Sequence, residues 1–199
     1  KTTIEIGIEK PLKLLHVTDS HIVPVDELDN DYKRILVKRF GINHDKMIAI
    51  LKEQIGYATD HCDLLIYTGD LIDYVTKENL ALVREILKNE KILFVCGNHD
   101  TVQIIGEDWI WKEKDKFPGP DGFGRNLYFN SCVLGGVNFV GLDNSNHNTE
   151  AWQMERLCTE VRKGFPIVLM LHVPLYEKSL YEYGIRKSSD GSAYIMGCS

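Results

Sequence analysis

Three short apolar runs in the first half of the chain stop at polar clusters of the same kind, and this repetition limits the fold more than any other feature. Leu12-Lys-Leu-Leu-His-Val17 runs into Thr18-Asp-Ser-His21. Asp63-Leu-Leu-Ile-Tyr67 ends at Thr68-Gly-Asp70, and Lys91–Cys96 ends at Gly97-Asn-His-Asp100. Runs of this length between turn residues read as buried strands. Two segments between them carry apolar residues at helical spacing. Asp45–Thr59 has Met47, Ile48, Leu51, Ile55 and Ala58, with Asn43 or Asp45 available as a cap; Glu78–Lys88 has Leu80, Leu82, Val83, Ile86 and Leu87. Strand and helix in alternation predict a parallel or mixed sheet covered by helices.

The second half carries a different pattern. Leu127-Tyr-Phe129 and Ser131–Leu134 lead through Gly135-Gly136 into Val137–Val140, a hairpin signal. A helix over Glu150–Arg162 and a strand over Phe165–Leu171 follow, the latter ending at His172-Val-Pro174. Lys112–Arg125 is a Gly/Pro-rich loop, preceded by Trp109 and Trp111, which read as covers for the core edge. Tyr181–Ser199 shows no strong periodicity. With no repeat, linker or low-complexity tract, residues 1–199 read as one α/β domain.

Composition narrows the function classes. Hydrophobic residues make up 44% of the 199, enough for a core and too many for a disordered chain. No apolar run approaches the roughly 18 residues that span a bilayer, so no membrane segment is expected. A net charge of −6 argues against an extended nucleic-acid surface. Five scattered cysteines without a CxxC pair fit buried thiols in a reducing, cytoplasmic setting, with a cleaved leader left open.

The positions of Asp, His and Asn carry the chemistry. Asp19 and His21 follow the first strand, Asp70 the second, Asn98 and His99 the third, and His172 the last. Carboxyl ends of parallel strands share one edge, where sites form. Four segments would therefore deliver oxygen and nitrogen ligands to one place. That donor mixture suits Mn, Fe or Zn better than Ca, and two ions could share a carboxylate. Taken singly, Asp19 or Asp70 is an ordinary cap or turn former and His172 an ordinary hydrogen-bonded histidine. Their common placement favours a metal site.

Together, Asp19-Ser-His21, Gly69-Asp-Leu-Ile-Asp73, Gly97-Asn-His-Asp100 and His172 resemble the ordered motifs of calcineurin-like metallophosphoesterases. The resemblance runs from Leu12 to Pro174. It implies two packed mixed β-sheets flanked by helices, a four-layer sandwich with a dinuclear metal centre on one edge. It also implies that Asp19 and His21 bind one metal, Asp70 bridges both, and Asn98 and His172 bind the other. His99 would contact the phosphate and protonate the leaving oxygen, oriented by Asp73, while a hydroxide bridging the two ions attacks phosphorus. Asp100 is either a supporting residue behind these or a plain cap.

Two departures shape the expectation. No histidine follows His172, so the family's late Gly-His-x-His element is absent. The 199 residues are expected to lack the C-terminal part of the domain, leaving each metal one imidazole short and binding weak. Tyr74-Val75 follows Asp73 where family protein phosphatases carry Arg-Gly, and Asp73 replaces the tyrosine ligand of purple acid phosphatases. A small phosphate ester, monoester or diester, remains the expected substrate; the rivals are a non-catalytic binding relative and a nuclease. Asn144, Asn146 and His147 are weaker site candidates. Tyr176, Tyr181 and Tyr183 could stack a ring, with Arg186 or Lys187 meeting phosphate. His16, His44 and His61 read as structural.

Overall fold

The computed structural model describes residues 1–22, 44–73, 77–101, 126–188, 191, 195 and 196. Expectations for Asn43, Tyr74, Val75, Trp109, Trp111 and the loop at 112–125 lie outside the described residues, as do those for the side chains of His44 and Asp45.

The first half builds the predicted alternation. Strand β1 (Leu14–Val17) leads to helix α1 (His44–His61), β2 (Leu64–Thr68), α2 (Lys77–Leu87), β3 (Ile92–Val95) and a single turn, α3 (Asn98–Thr101). The three strands form a sheet in the order β1-β2-β3, every pairing parallel. Both helices cross over from one parallel strand towards the next, as parallel pairing requires. One expectation needs correction: β1 is not a buried strand. Leu14 and His16 are exposed, Leu15 is half-buried and only Val17 is buried: Leu14 and His16 pair with Leu64 and Ile66 but do not share in the cluster through which those two meet the second sheet.

The second sheet is mixed. Strands β4 (Phe129–Leu134) and β5 (Val137–Leu142) pair antiparallel, with Leu134 opposite Val137. Gly135 and Gly136 close the two-residue turn at φ +57° and +82°, the left-handed geometry that a tight hairpin needs and glycine supplies. Helix α4 (Ala151–Val161) then returns the chain to β6 (Ile167–Met170), parallel to β5. Gln153, buried on α4, accepts from the Glu150 N–H at 2.6 Å and donates to the carbonyls of Tyr128 (2.7 Å) and Asp143 (3.1 Å). It both caps the helix and ties it to the end of β5.

These elements stack as helix, sheet, sheet and helix. Leu64, Ile66, Leu93 and Val95 meet Val137, Phe139 and Met170 between the sheets. Leu65, Tyr67, Ile92 and Phe94 face the other way, against Leu51 and Ala58 of α1 and Val83 and Leu87 of α2. Phe129, Val140 and Leu142 pack under Leu157 of α4. The sheets close tightly at Gly141, where a Cβ would lie 2.7 Å from Val95 Cγ1. No described helix is long and apolar enough to cross a membrane.

One element was not foreseen. Helix α5 (Lys178–Lys187) stands in the stretch that carries no strong periodicity, and none of its residues is buried. Its start is capped by Glu177, whose carboxylate accepts from the Leu180 N–H at 2.9 Å.

Phe139 is fully buried between the sheets. Phe139→Ala should therefore cost about 3–5 kcal/mol in chemical denaturation. A loss below about 1 kcal/mol would contradict this packing.

Candidate metal centre

The site grows out of unusual backbone at two strand ends. Asp19, His21 and Asp70 all hold positive φ (54°, 43° and 53°), beside Gly69 at 91°. Non-glycine residues in this region cost about 1–3 kcal/mol each and persist only where their surroundings hold them. Here the chain after β1 continues to bond the chain after β2. Asp19 N–H donates to Gly69 O at 3.0 Å, His21 N–H to Asp70 O at 2.9 Å and Ile22 N–H to Leu71 O at 2.9 Å.

Asp100 holds the next pair of ends. Its buried carboxylate accepts the main-chain N–H groups of Asp70 (2.8 Å), Leu71 (2.9 Å), Ile72 (3.1 Å) and Gly97 (2.8 Å). Asp100 is thus a clamp joining the turns after β2 and β3, more than a cap. Burial pushes its carboxyl up to about 7, with the N–H groups of Gly97, Ile72 and Asp70 pulling the other way. The turns approach so closely that only glycine fits at 97: a Cβ there would lie 2.0 Å from Asp70 Oδ1 and 2.4 Å from Asp70 N.

This arrangement aims Asp70. His99 N–H donates to its Oδ1 at 3.0 Å. Its Oδ2 lies 3.5 Å from His21 Nε2 and 3.4 Å from His172 Nε2. His21 Nε2 is also 3.7 Å from Asp19 Oδ1, and His172 Nε2 is 3.2 Å from Asn98 Oδ1. Asp19, His21, Asp70, Asn98 and His172 therefore converge as the strand ends suggest. Asp73 adds a second hub: its Oδ1 lies 3.1 Å from His21 Nδ1 and 3.2 Å from His99 Nδ1. His99 Nδ1 also lies 2.9 Å from the Asp73 carbonyl, and the two imidazoles meet edge to face at 4.5 Å.

The donor set fits a cation. His172 Nδ1 lies 2.9 Å from the Thr68 carbonyl, which can only accept, so Nδ1 carries the proton. In a neutral ring the Nε2 lone pair then faces the oxygens of Asp70 and Asn98, an arrangement that a proton or a metal ion must bridge. A histidine held this way by a carbonyl is the usual form of a metal ligand. Among the described residues, two groups of three have ligand atoms within 4.8 Å of one another: Asp19, Asp70 and His172, and His21, Asp73 and His99. These groups cut across the division implied by the sequence motifs, which pairs Asp19 with His21.

Without a metal, protons take its place. Burial pulls the His21 imidazole down, but hydrogen bonds to Asp19 and Asp73 and the charges of Asp70 and Asp73 outweigh it and raise it to about 10. Burial likewise opposes His172, which Asp70 and the Thr68 carbonyl raise to about 9. Burial raises Asp73, yet the His21 and His99 bonds hold it well below the usual carboxylate range.

The weaker candidates divide. Asn144 is fully buried and bonds the chain at His172 and Val173; Asn146 and His147 are exposed. Tyr176 packs on Tyr181 at 5.8 Å, and Lys187 Nζ lies 5.9 Å from the Tyr183 ring. His16 bonds Thr68 Oγ1 at 2.8 Å, while His61 stacks near Tyr57 at 4.9 Å. Sequence reasoning missed Thr68, whose carbonyl sets the His172 ring; its place just before Gly69-Asp70 was the available signal.

Raised histidines stabilise the metal-free fold fully below the unfolded value near 6.5 and cease to do so as pH rises through about 9 to 10. Thermal denaturation in chelator should show Tm falling across that window. Saturating Mn²⁺, which displaces those protons, should flatten the fall. A metal-free Tm that does not fall there would contradict the proton-bridged cluster.

Comparison with known proteins agrees with this geometry. The calcineurin-like phosphoesterase family matches residues 12–194. The chain is 28% identical over 103 residues to a 3′,5′-cyclic adenosine monophosphate phosphodiesterase of Haemophilus influenzae, covering 50% of this chain and 34% of that protein. It is 29% identical over 102 residues to a probable cyclic nucleotide phosphodiesterase of Psychrobacter arcticus, covering 49% and 34%. Over 177 residues it is 24% identical to a cAMP/cGMP dual specificity phosphodiesterase of Mycobacterium tuberculosis, covering 81% and 49%. The chain spans a third to a half of the length of these three relatives. With the family matching nearly the whole chain and the motif residues gathered at one sheet edge, the chain belongs to the calcineurin-like phosphoesterase family.

Proposed function

We propose that the full-length protein hydrolyses a small phosphodiester of the 3′,5′-cyclic nucleotide class, with two divalent cations held by Asp19, His21, Asp70, Asn98 and His172. The observation that carries this reading is Asp70 Oδ2, set between His21 Nε2 and His172 Nε2 at 3.5 and 3.4 Å. A carboxylate oxygen shared by two imidazoles is suited to bridging two ions. The substrate class comes from the names of the relatives. Bound cations supply an acidified water and neutralise the phosphoryl oxygens.

The chain's own residues have separate tasks. Asp70, fixed through Oδ1 by the His99 N–H, keeps its other oxygen turned to His21 and His172, with which it would hold the metals. Asp73 accepts from His99 Nδ1, which leaves Nε2 to donate a proton to the departing ribose oxygen as its bond to phosphorus breaks. Burial disfavours the His99 imidazolium, but Asp73 and the charge of Asp70 overcome this and raise its pKa in the metal-free chain, which favours a ring that carries the proton to be donated. General-acid help of this kind is worth about 10²–10⁴ in rate.

The test is hydrolysis of 3′,5′-cyclic AMP by the full-length protein, stripped of metal and then supplied with Mn²⁺. Turnover that depends on Mn²⁺ supports the reading; no turnover on this or another small phosphodiester ends it. His99→Ala should lower kcat on the cyclic nucleotide by about 10²–10⁴ and much less on a nitrophenyl diester, whose leaving group needs no proton. Bound metal should be unchanged. Loss of metal in His99→Ala would instead make His99 a ligand, as its grouping with His21 and Asp73 permits.

A further inference from the structure

We propose that Asn144 is a positioning residue for the metal centre, fixing the main chain at His172 so that the imidazole Nε2 meets the metal. The proposal rests on His172 being a ligand, as proposed above. Asn144 lies two residues past the end of β5 and is completely buried. Its Oδ1 accepts both the His172 N–H and the Val173 N–H at 3.1 Å. Its Nδ2 donates to the Val173 carbonyl at 2.7 Å and touches Met196 Sδ at 3.4 Å.

These three main-chain groups lie just past Met170, where β6 ends. Main-chain groups buried without partners are costly, and Asn144 supplies two acceptor contacts and a donor from one side chain. The pattern also fixes the amide, because two N–H groups require the oxygen and the carbonyl requires the nitrogen. Aspartate would set an oxygen against the Val173 carbonyl, and an aliphatic residue would leave all three groups bare.

The His172 ring is then held at two points. Thr68 O sets its rotation through Nδ1, and Asn144 sets the backbone from which it projects. Nε2 consequently arrives 3.4 Å from Asp70 Oδ2 and 3.2 Å from Asn98 Oδ1. Asn144 touches none of the ligand atoms and acts through His172 alone. Partners of this supporting kind typically contribute about 10–100-fold in metal affinity.

The experiment is Mn²⁺ binding to the full-length protein followed by the EPR signal of free Mn²⁺, for wild type, Asn144→Ala, His172→Ala and the double variant. Near-UV circular dichroism checks folding, and Asn144→Ser replaces Asn144→Ala should the latter not fold. Asn144→Ala is expected to weaken Mn²⁺ binding about 10–100-fold. In the His172→Ala background the same substitution should change affinity by no more than about twofold, because the ring it positions is gone. Equal binding by wild type and a folded Asn144→Ala overturns the proposal alone, as does an equal loss in both backgrounds, which would mark general loosening. A wild type that takes up no Mn²⁺ overturns the metal reading and this proposal with it.

Discussion

Everything at the sheet edge depends on the buried carboxylate of Asp100. Four main-chain N–H groups from two turns converge on its two oxygens. Leaving a buried N–H without an acceptor costs roughly 1–3 kcal/mol, so one side chain accounts for a large share of the local order. The clamp pulls Gly97 against Asp70 to a separation that no Cβ could enter. It also helps hold Asp70 in a left-handed conformation that residues with a side chain adopt only occasionally. The strain at Asp19, His21 and Asp70 is sustained by this clamp and by the three bonds that stitch the chain after β1 to the chain after β2.

From that anchor the electrostatics follow. Asp70, Asp19, Asp73 and Asn98 present oxygens to His21, His99 and His172 within a space of a few ångströms. Carboxylates so close repel one another unless positive charge lies between them. Protonated histidines supply it in the metal-free state, which is why His21 and His172 are raised to about 10 and 9. Divalent cations would meet the same need with more charge per site. The proposed chemistry therefore rests on one property, an edge of oxygen and nitrogen donors that calls for positive charge between its carboxylates.

Much of this was legible in the sequence because strand periodicity is local. Apolar runs ending at Asp19, Asp70, Asn98 and His172 located the strands; parallel pairing brought the first three ends together, and packing of the second sheet on the first brought His172 to them. The role of Asp100 was not legible: Gly97-Asn-His-Asp100 looks the same whether its last carboxylate caps one turn or grips two. Asp73 was expected to orient His99, but its contact with His21 depends on backbone angles that L-residues rarely adopt. Asn144 stands in the sequence only as one of the weaker site candidates, since its partners lie 28 and 29 residues away. Helix α5 escaped because it is short and mostly polar, with Lys178, Glu182, Arg186 and Lys187 in it and Gly184 in its interior. β1 looked buried because its run is apolar, although Leu14 and His16 are exposed.

The central claim is that Asp70 joins two cations in one centre. The most direct measurement is low-temperature EPR of the full-length protein loaded with Mn²⁺, beside Asp70→Asn. A bridging Asp70 should give an exchange-coupled signal from two Mn²⁺ ions in the wild type, replaced in Asp70→Asn by an uncoupled spectrum or by loss of bound ion. Uncoupled Mn²⁺ in the wild type, or a coupled pair that survives Asp70→Asn, would contradict it.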